Sequence, residues 1–133
     1  MSLPQSVLII DDEEGVGHVL CRLLRNHFPN ARIIWASNFA PPIDPVDVIV
    51  LDLFLKCPME DTLESLRNRR RDLPPIVCIT GKADAQQALV LCMEAGAQDF
   101  ISKDRAIPDS AALAEKIHLA YLRHKHATKN HCS

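Results

Sequence analysis

The sequence predicts a single α/β domain built on a doubly wound, five-stranded parallel sheet. Two apolar runs, Val7–Ile10 and Val48–Leu51, show no alternation of polar and apolar residues, which is typical of strands buried on both faces of a parallel sheet. Segments with helical spacing of apolar residues alternate with such runs along the chain. Both runs end in aspartates, Asp11-Asp12 and Asp52, at the strand ends where open parallel sheets bind ligands.

The remaining elements follow from periodicity and from the residues that stop them. A helix is predicted over Glu13–His27, with acids in the first turn, where the helix dipole favours them. Pro74-Pro75 ends a helix over roughly Asp61–Asp72, and Gly96 ends a helix over Ala83–Ala95. The predicted strands are Val7–Ile10, Ala31–Ala36, Val46–Leu51, Ile76–Ile79 and Asp99–Ile101, and the last helix runs from Ser110 to about His126.

The connection between the second and third strands is too short for an ordinary crossover. It comprises Ser37–Pro45 and contains three prolines, whereas a parallel crossover usually takes about a dozen residues or more and proline interrupts a regular helix. We expect a single turn or an extended loop there. The second helix of the fold would then be shortened or missing, and one flank of the sheet would be thinly covered.

Length and composition indicate an ordinary globular protein and exclude several classes. The chain has 133 residues, of which 47% are hydrophobic and 24% charged, enough for one core without disulfides. Its net charge of -2 gives no reason to expect nucleic-acid binding, and no apolar stretch approaches the roughly 20 residues that span a bilayer. The five cysteines form no CxxC pair, so a reducing cytoplasm is expected. Residues 1–126 are expected to form the domain and 127–133 a polar tail or the start of a linker.

Four of the five predicted strands end in polar groups suited to phosphoryl chemistry. Asp11-Asp12 and Asp52 follow the first and third strands, and Thr80 and Lys103 follow the fourth and fifth. Taken singly, each has a simpler interpretation, as a helix cap, a turn residue or a solvated charge. Together they resemble the receiver domain of two-component response regulators, in the segments VLIIDDEE, VIVLDL, PIVCITG and EAGAQDFISK. The resemblance covers nearly the whole chain and implies a flavodoxin-like strand order, 2-1-3-4-5.

The resemblance also implies a role for each residue of the group. Asp52 would accept the phosphoryl group, while Asp12, Asp52 and the backbone carbonyl of Phe54 would hold Mg²⁺, with Asp11 assisting mainly through water. Thr80 and Lys103 would contact the phosphoryl oxygens. On phosphorylation Thr80 would move and Phe100 would turn inward, so these two residues would form the switch.

The implied function is a signalling switch rather than an enzyme with a turning-over substrate. A histidine kinase or histidine phosphotransfer protein would donate the phosphoryl group. The face made by the helix over Ala83–Ala95, the fifth strand and the last helix would change on phosphorylation and is where receivers form homodimers or contact partners. Candidate residues on that face are Val90, Met93, Lys116 and Tyr121.

Departures from the family pattern leave alternatives open. Asp104 follows Lys103 where most receivers have a proline after a cis bond, so we expect a trans bond and an altered loop. A receiver-like scaffold that signals by binding without phosphorylation is one alternative. A Mg²⁺-dependent hydrolase of the haloacid dehalogenase type is another, but it requires an aspartate two residues after the nucleophile, where this chain has Phe54.

Overall fold

The structure is a computed structural model that describes residues 2–39, 45–53, 59–69, 72–81 and 85–131. The strands are β1 (Ser6–Ile10), β2 (Arg32–Ala36), β3 (Val48–Asp52), β4 (Ile76–Thr80) and β5 (Asp99–Ser102). The helices are α1 (Glu14–His27), α2 (Met59–Arg69), α3 (Ala85–Glu94), α4 (Lys103–Ala106) and α5 (Ser110–His131). All strand pairs are parallel, and the strand order is β2-β1-β3-β4-β5, which confirms the predicted fold class.

The sheet is buried on both faces, which explains why its strands lack polar alternation. In β1, Val7 and Ile9 join one core cluster with α1 and α5, whereas Leu8 and Ile10 join a second cluster with α2 and α3. The other central strands alternate in the same way between the two clusters. The result is a three-layer sandwich in which the middle layer supplies apolar side chains to both cores.

The connection from β2 to β3 confirms the expected shortening as far as the structure describes it. Residues 37–39 and 45–47 are not helical, so the described parts of this connection contain no crossover helix. Residues 40–44 lie outside the described residues. Next to this connection, Ile34 and Ala36 are only partly buried. The Arg69 guanidinium covers the ring of Phe39 at 5.1 Å from the ring centre.

The ends of α1 and the carboxyl end of α3 lie within one residue of the prediction, whereas α2 runs from Met59 to Arg69 rather than from about Asp61 to Asp72. Gly96 ends α3 with a φ of 112°, a conformation that glycine adopts without strain. The last helix continues to His131 rather than ending near His126. A short helix, α4, was not predicted; it begins at Lys103, and Asp104 makes this feasible because proline after Lys103 would disfavour the helical conformation there. Within the described residues, none of the helices combines the length and apolarity needed to span a bilayer.

Candidate phosphoryl and metal site

The strand register brings four of the predicted site residues to one edge of the sheet. Asp11 follows β1 and Asp52 ends β3, and these two strands are neighbours in register. Thr80 ends β4 and lies opposite Ser102 of β5, one residue before Lys103. Because parallel strands end at the same edge, four separate sequence segments deliver their polar groups to one rim.

Three carboxylates form the acidic part of this rim. One oxygen from each of Asp11, Asp12 and Asp52 lies within 4.8 Å of the others. Asp11 and Asp52 are buried, with 0% and 1% of their surface exposed, whereas Asp12 is half-buried. Carboxylates packed this closely repel one another unless a positive charge is placed among them.

Lys103 supplies part of that positive charge. Its Nζ lies 2.9 Å from Asp11 Oδ2 and 2.9 Å from Asp52 Oδ2, and it donates a hydrogen bond to the latter. Burial lowers the pKa of the Lys103 ammonium, but hydrogen bonding to and the charges of the two carboxylates outweigh burial and raise the pKa above its ordinary value. The ammonium is therefore charged at neutral pH and bridges two strand ends.

The three carboxylates of this cluster carry more negative charge than the Lys103 ammonium neutralises. Asp11 Oδ1 accepts a hydrogen bond from the backbone N–H of Glu13 at 2.9 Å. Asp11 Oδ2 is buried and pairs with the Lys103 ammonium at 2.9 Å. Three carboxylates facing one ammonium leave net negative charge, and oxygen ligands of this kind suit Mg²⁺. The residues present therefore fit a hard divalent cation.

The remaining predicted site residues are placed as follows. Thr80 is 1% exposed at the end of β4, so its hydroxyl is held inside the rim rather than in a solvated turn. Phe100 is half-buried on β5 and packs against the cluster beneath α2 and α3, so its ring is neither fully inside nor fully outside. Phe54, whose carbonyl is the fourth predicted metal ligand, lies outside the described residues.

Two further residues, Trp35 and Gly17, hold the rim in place and were not predicted from the sequence. The indole Nε1 of Trp35 donates a 2.7 Å hydrogen bond to the backbone carbonyl of Asp11, and Gly17 of α1 makes room for the indole ring. The available signal was a glycine inside a helix. A glycine there costs about 1 kcal/mol relative to alanine and so often marks a close approach by another group.

Comparison with known proteins identifies sequence relatives among bacterial regulators. No protein-family model matches the chain. The regulatory protein VirG of Agrobacterium tumefaciens is 33% identical over 111 residues, which cover 80% of this chain and 40% of VirG. A protein of Rickettsia bellii described as an NtrX-like response regulator is 31% identical over 102 residues, covering 73% of this chain and 21% of that protein. The chain thus spans well under half the length of these relatives.

Solved structures give the same result for the fold. A response regulator receiver domain protein from Clostridium thermocellum superimposes with a TM-score of 0.69 and 23% sequence identity, over 90% of this chain and 96% of that one. At this identity the likeness establishes the fold. The matched region of the relatives and the shared architecture of the sheet converge on one type of domain.

Proposed function

Because this chain belongs to the response regulator receiver family, as its relatives and its fold together show, we propose that it is a phosphoryl-accepting switch. It takes a phosphoryl group from phosphohistidine onto Asp52 with the help of Mg²⁺. The observation that supports this most directly is the bridging ammonium of Lys103, 2.9 Å from both Asp11 and Asp52. A lysine already placed at this rim can donate a hydrogen bond to a phosphoryl oxygen without first having to move.

In the proposed reaction, a carboxylate oxygen of Asp52 attacks the phosphorus atom in line with the leaving imidazole nitrogen. The new O–P bond forms as the P–N bond of phosphohistidine breaks, and the donor imidazole takes up a proton. Negative charge is shared among the three phosphoryl oxygens in such a loose transition state, so catalysis is mainly positioning and charge neutralisation. Lys103 contributes an ammonium and Thr80 a hydroxyl to those oxygens.

The acidic residues are assigned to binding Mg²⁺. Asp12 and Asp52 would hold Mg²⁺ with the carbonyl of Phe54, and Asp11 would assist through water. When bound, Mg²⁺ neutralises charge on the incoming phosphoryl group and orients it. The three clustered carboxylates face one ammonium and so keep net negative charge, which supports this assignment because a further cation would relieve their mutual repulsion.

We propose that the phosphorylated form signals through α3, β5 and α5. Val90 and Met93 of α3 are 55% and 43% exposed, so they are available to a partner or to a second copy of the chain. Lys116 of α5 is paired with Asp99 of β5 at 3.1 Å, which couples the two elements behind Phe100. Movement of Thr80 toward the phosphoryl group would let the half-buried Phe100 turn inward and change this face.

The proposed function also implies a phosphoryl donor, a cellular compartment and the bounds of the domain. The donor is a histidine kinase or histidine phosphotransfer protein, and the site is reached from the cytoplasm. We propose that the domain does not act by binding nucleic acid, since a net charge of -2 provides no overall attraction to a polyanion. We propose residues 1–126 as the receiver domain and residues 127–133 as a polar tail or the start of a linker, with α5 continuing into this segment as far as His131.

Intact-mass spectrometry after incubation with acetyl phosphate and Mg²⁺ tests the proposed function. We expect the wild-type chain to gain the mass of one phosphoryl group and to lose it again with time. Asp52→Asn should abolish the gain, whereas Asp99→Asn, a control at an aspartate paired with Lys116, should retain it. Failure of the wild-type chain to gain mass, or a gain that survives Asp52→Asn, would refute the proposal, and the first result would favour the non-phosphorylated scaffold.

A further inference from the structure

Trp35 connects the edge strand of the sheet to the acidic loop. It lies next to the last residue of β2, opposite Ile9 of β1, and its indole reaches over the end of β1 to donate to the Asp11 carbonyl at 2.7 Å. A partly buried tryptophan N–H needs a partner, and here the partner is the backbone of a metal-site residue. No other tryptophan occurs in the chain.

The position of the indole is fixed from two sides by α1. A Cβ atom added to Gly17 would lie 3.0 Å from Trp35 Cγ and closer still to Cδ1 and Nε1, so only glycine leaves space for the ring there. The ring of His18, the next residue of α1, is 5.4 Å from the indole centre to centre. The Trp35 ring therefore packs against α1 in the space left by Gly17, beside the ring of His18.

This hydrogen bond controls a peptide group that leads into Asp12. The N–H of Asp11 donates to the carbonyl of Ala36 at 3.1 Å, and its C=O accepts from Trp35, so β2 holds the residue at both ends. The C=O of Asp11 belongs to the peptide bond with Asp12, and its direction sets where the Asp12 side chain points. In the described part of the chain, no hydrogen bond or ion pair is found for the Asp12 carboxylate itself.

We propose that Trp35 is a positioning residue of the metal site, which sets the Mg²⁺ affinity by fixing the Asp11–Asp12 peptide. The inference rests on the proposed function in that it takes the acidic cluster to be a Mg²⁺ site. Groups that orient the ligands of a metal, without touching it, typically contribute about 10-fold to 100-fold in affinity. The indole would act in this way through the backbone rather than through a side chain.

The test is the Mg²⁺ dissociation constant measured by isothermal titration calorimetry on the full chain. Trp35→Phe keeps a flat aromatic ring but removes the donor, and we expect it to weaken Mg²⁺ binding about tenfold. Gly17→Ala should weaken it similarly by displacing the indole. Because both changes break one hydrogen bond, the double variant should be no weaker than the worse single variant, which is non-additive behaviour.

Two controls separate positioning from general destabilisation. Phe28→Leu changes a buried ring, 4% exposed, at the far end of α1, and should lower the melting temperature while leaving the Mg²⁺ dissociation constant unchanged. Replacing tryptophan biosynthetically with benzothienylalanine exchanges only the indole N–H for sulfur, and only at position 35, since the chain has one tryptophan. This analogue should reproduce the loss seen in Trp35→Phe even if that variant folds poorly.

The outcomes are distinguishable. Weaker Mg²⁺ binding by the Trp35 and Gly17 variants and the analogue, with Phe28→Leu unchanged, supports the proposal. Wild-type affinity in the benzothienylalanine protein, or an equal loss in Phe28→Leu, overturns the role of Trp35 and leaves the metal site standing. No measurable Mg²⁺ binding by the wild-type chain would overturn both the metal part of the proposed function and this inference.

Discussion

Removing the Lys103 ammonium should lower the unfolding free energy of the metal-free protein strongly and make that free energy more dependent on Mg²⁺. The perturbation is Lys103→Met, which keeps an unbranched side chain of similar reach but no charge. The structure gives the magnitude. The Lys103 side chain is 12% exposed, and the Asp11 and Asp52 side chains that it bridges are 0% and 2% exposed. Removing one partner of a buried ion pair costs about 3–5 kcal/mol.

We expect the lower end of that range, about 3 kcal/mol, because the Lys103 side chain is 12% exposed and solvent therefore screens part of the interaction. The assay is urea unfolding at neutral pH with and without Mg²⁺. Mg²⁺ should stabilise Lys103→Met more than it stabilises the wild-type chain, because the cation then replaces the missing positive charge as well as binding its own ligands.

The matched control is Lys116→Met. Lys116 also pairs with an aspartate, Asp99, at 3.1 Å, but the two side chains are 27% and 23% exposed, so the loss should be about 1 kcal/mol or less. If Lys103→Met loses no more stability than Lys116→Met, the bridge is not a buried charge pair. If Mg²⁺ stabilises Lys103→Met no more than the wild type, the cation does not share the Lys103 site.

Three further predictions test the charge and packing arguments. The pKa of Lys103 is raised in the folded state, so the lysine contributes its full stabilisation below the unfolded pKa of about 10.4 and loses it as pH rises through the folded pKa. The difference in unfolding free energy between wild type and Lys103→Met should therefore stay constant from pH 8 to about pH 10 and narrow above it. Gly96→Ala should lower the unfolding free energy by about 1 kcal/mol or more, since φ is 112° at Gly96. Gly15→Ala, with nothing within 4 Å of an added Cβ, should raise the unfolding free energy by about 0.5–1 kcal/mol. Changes of the same sign in both variants would contradict the backbone argument. Leu24→Ala in the core, at 0% exposure, should cost about 2–5 kcal/mol by chemical unfolding, and a cost under about 1 kcal/mol would show that this core is loosely packed.

The sheet was predictable because its strands carry their own signal. Runs such as Val48–Leu51 are apolar at every position, and strands buried on both faces show this pattern. Helix α3 was predictable from apolar spacing and from the stop at Gly96. Helix α4 was not, because four residues give too short a window for periodicity, and the extension of α5 to His131 falls in a polar segment where apolar spacing gives no guidance.

The candidate site was predictable to the level of strand ends and no further. That Asp11, Asp52 and Lys103 meet follows from parallel strands ending at one edge, and the 2.9 Å contacts of Lys103 agree with it. The hydrogen bond from Trp35 to Asp11 could not be inferred, because it depends on how closely α1 approaches β2. That approach is set by Gly17 through packing, which sequence periodicity does not encode.

Chemical trapping of the phosphorylated residue tests the central claim most directly. Acyl phosphates are reduced by borohydride to alcohols, so an aspartyl phosphate becomes homoserine, which peptide mass spectrometry can locate. After treatment with acetyl phosphate and Mg²⁺, we predict homoserine at position 52 alone, and none when Mg²⁺ is removed by a chelator. Homoserine at position 11 or 12, or no homoserine in a chain that has gained phosphate, would contradict the assignment of Asp52 as the acceptor.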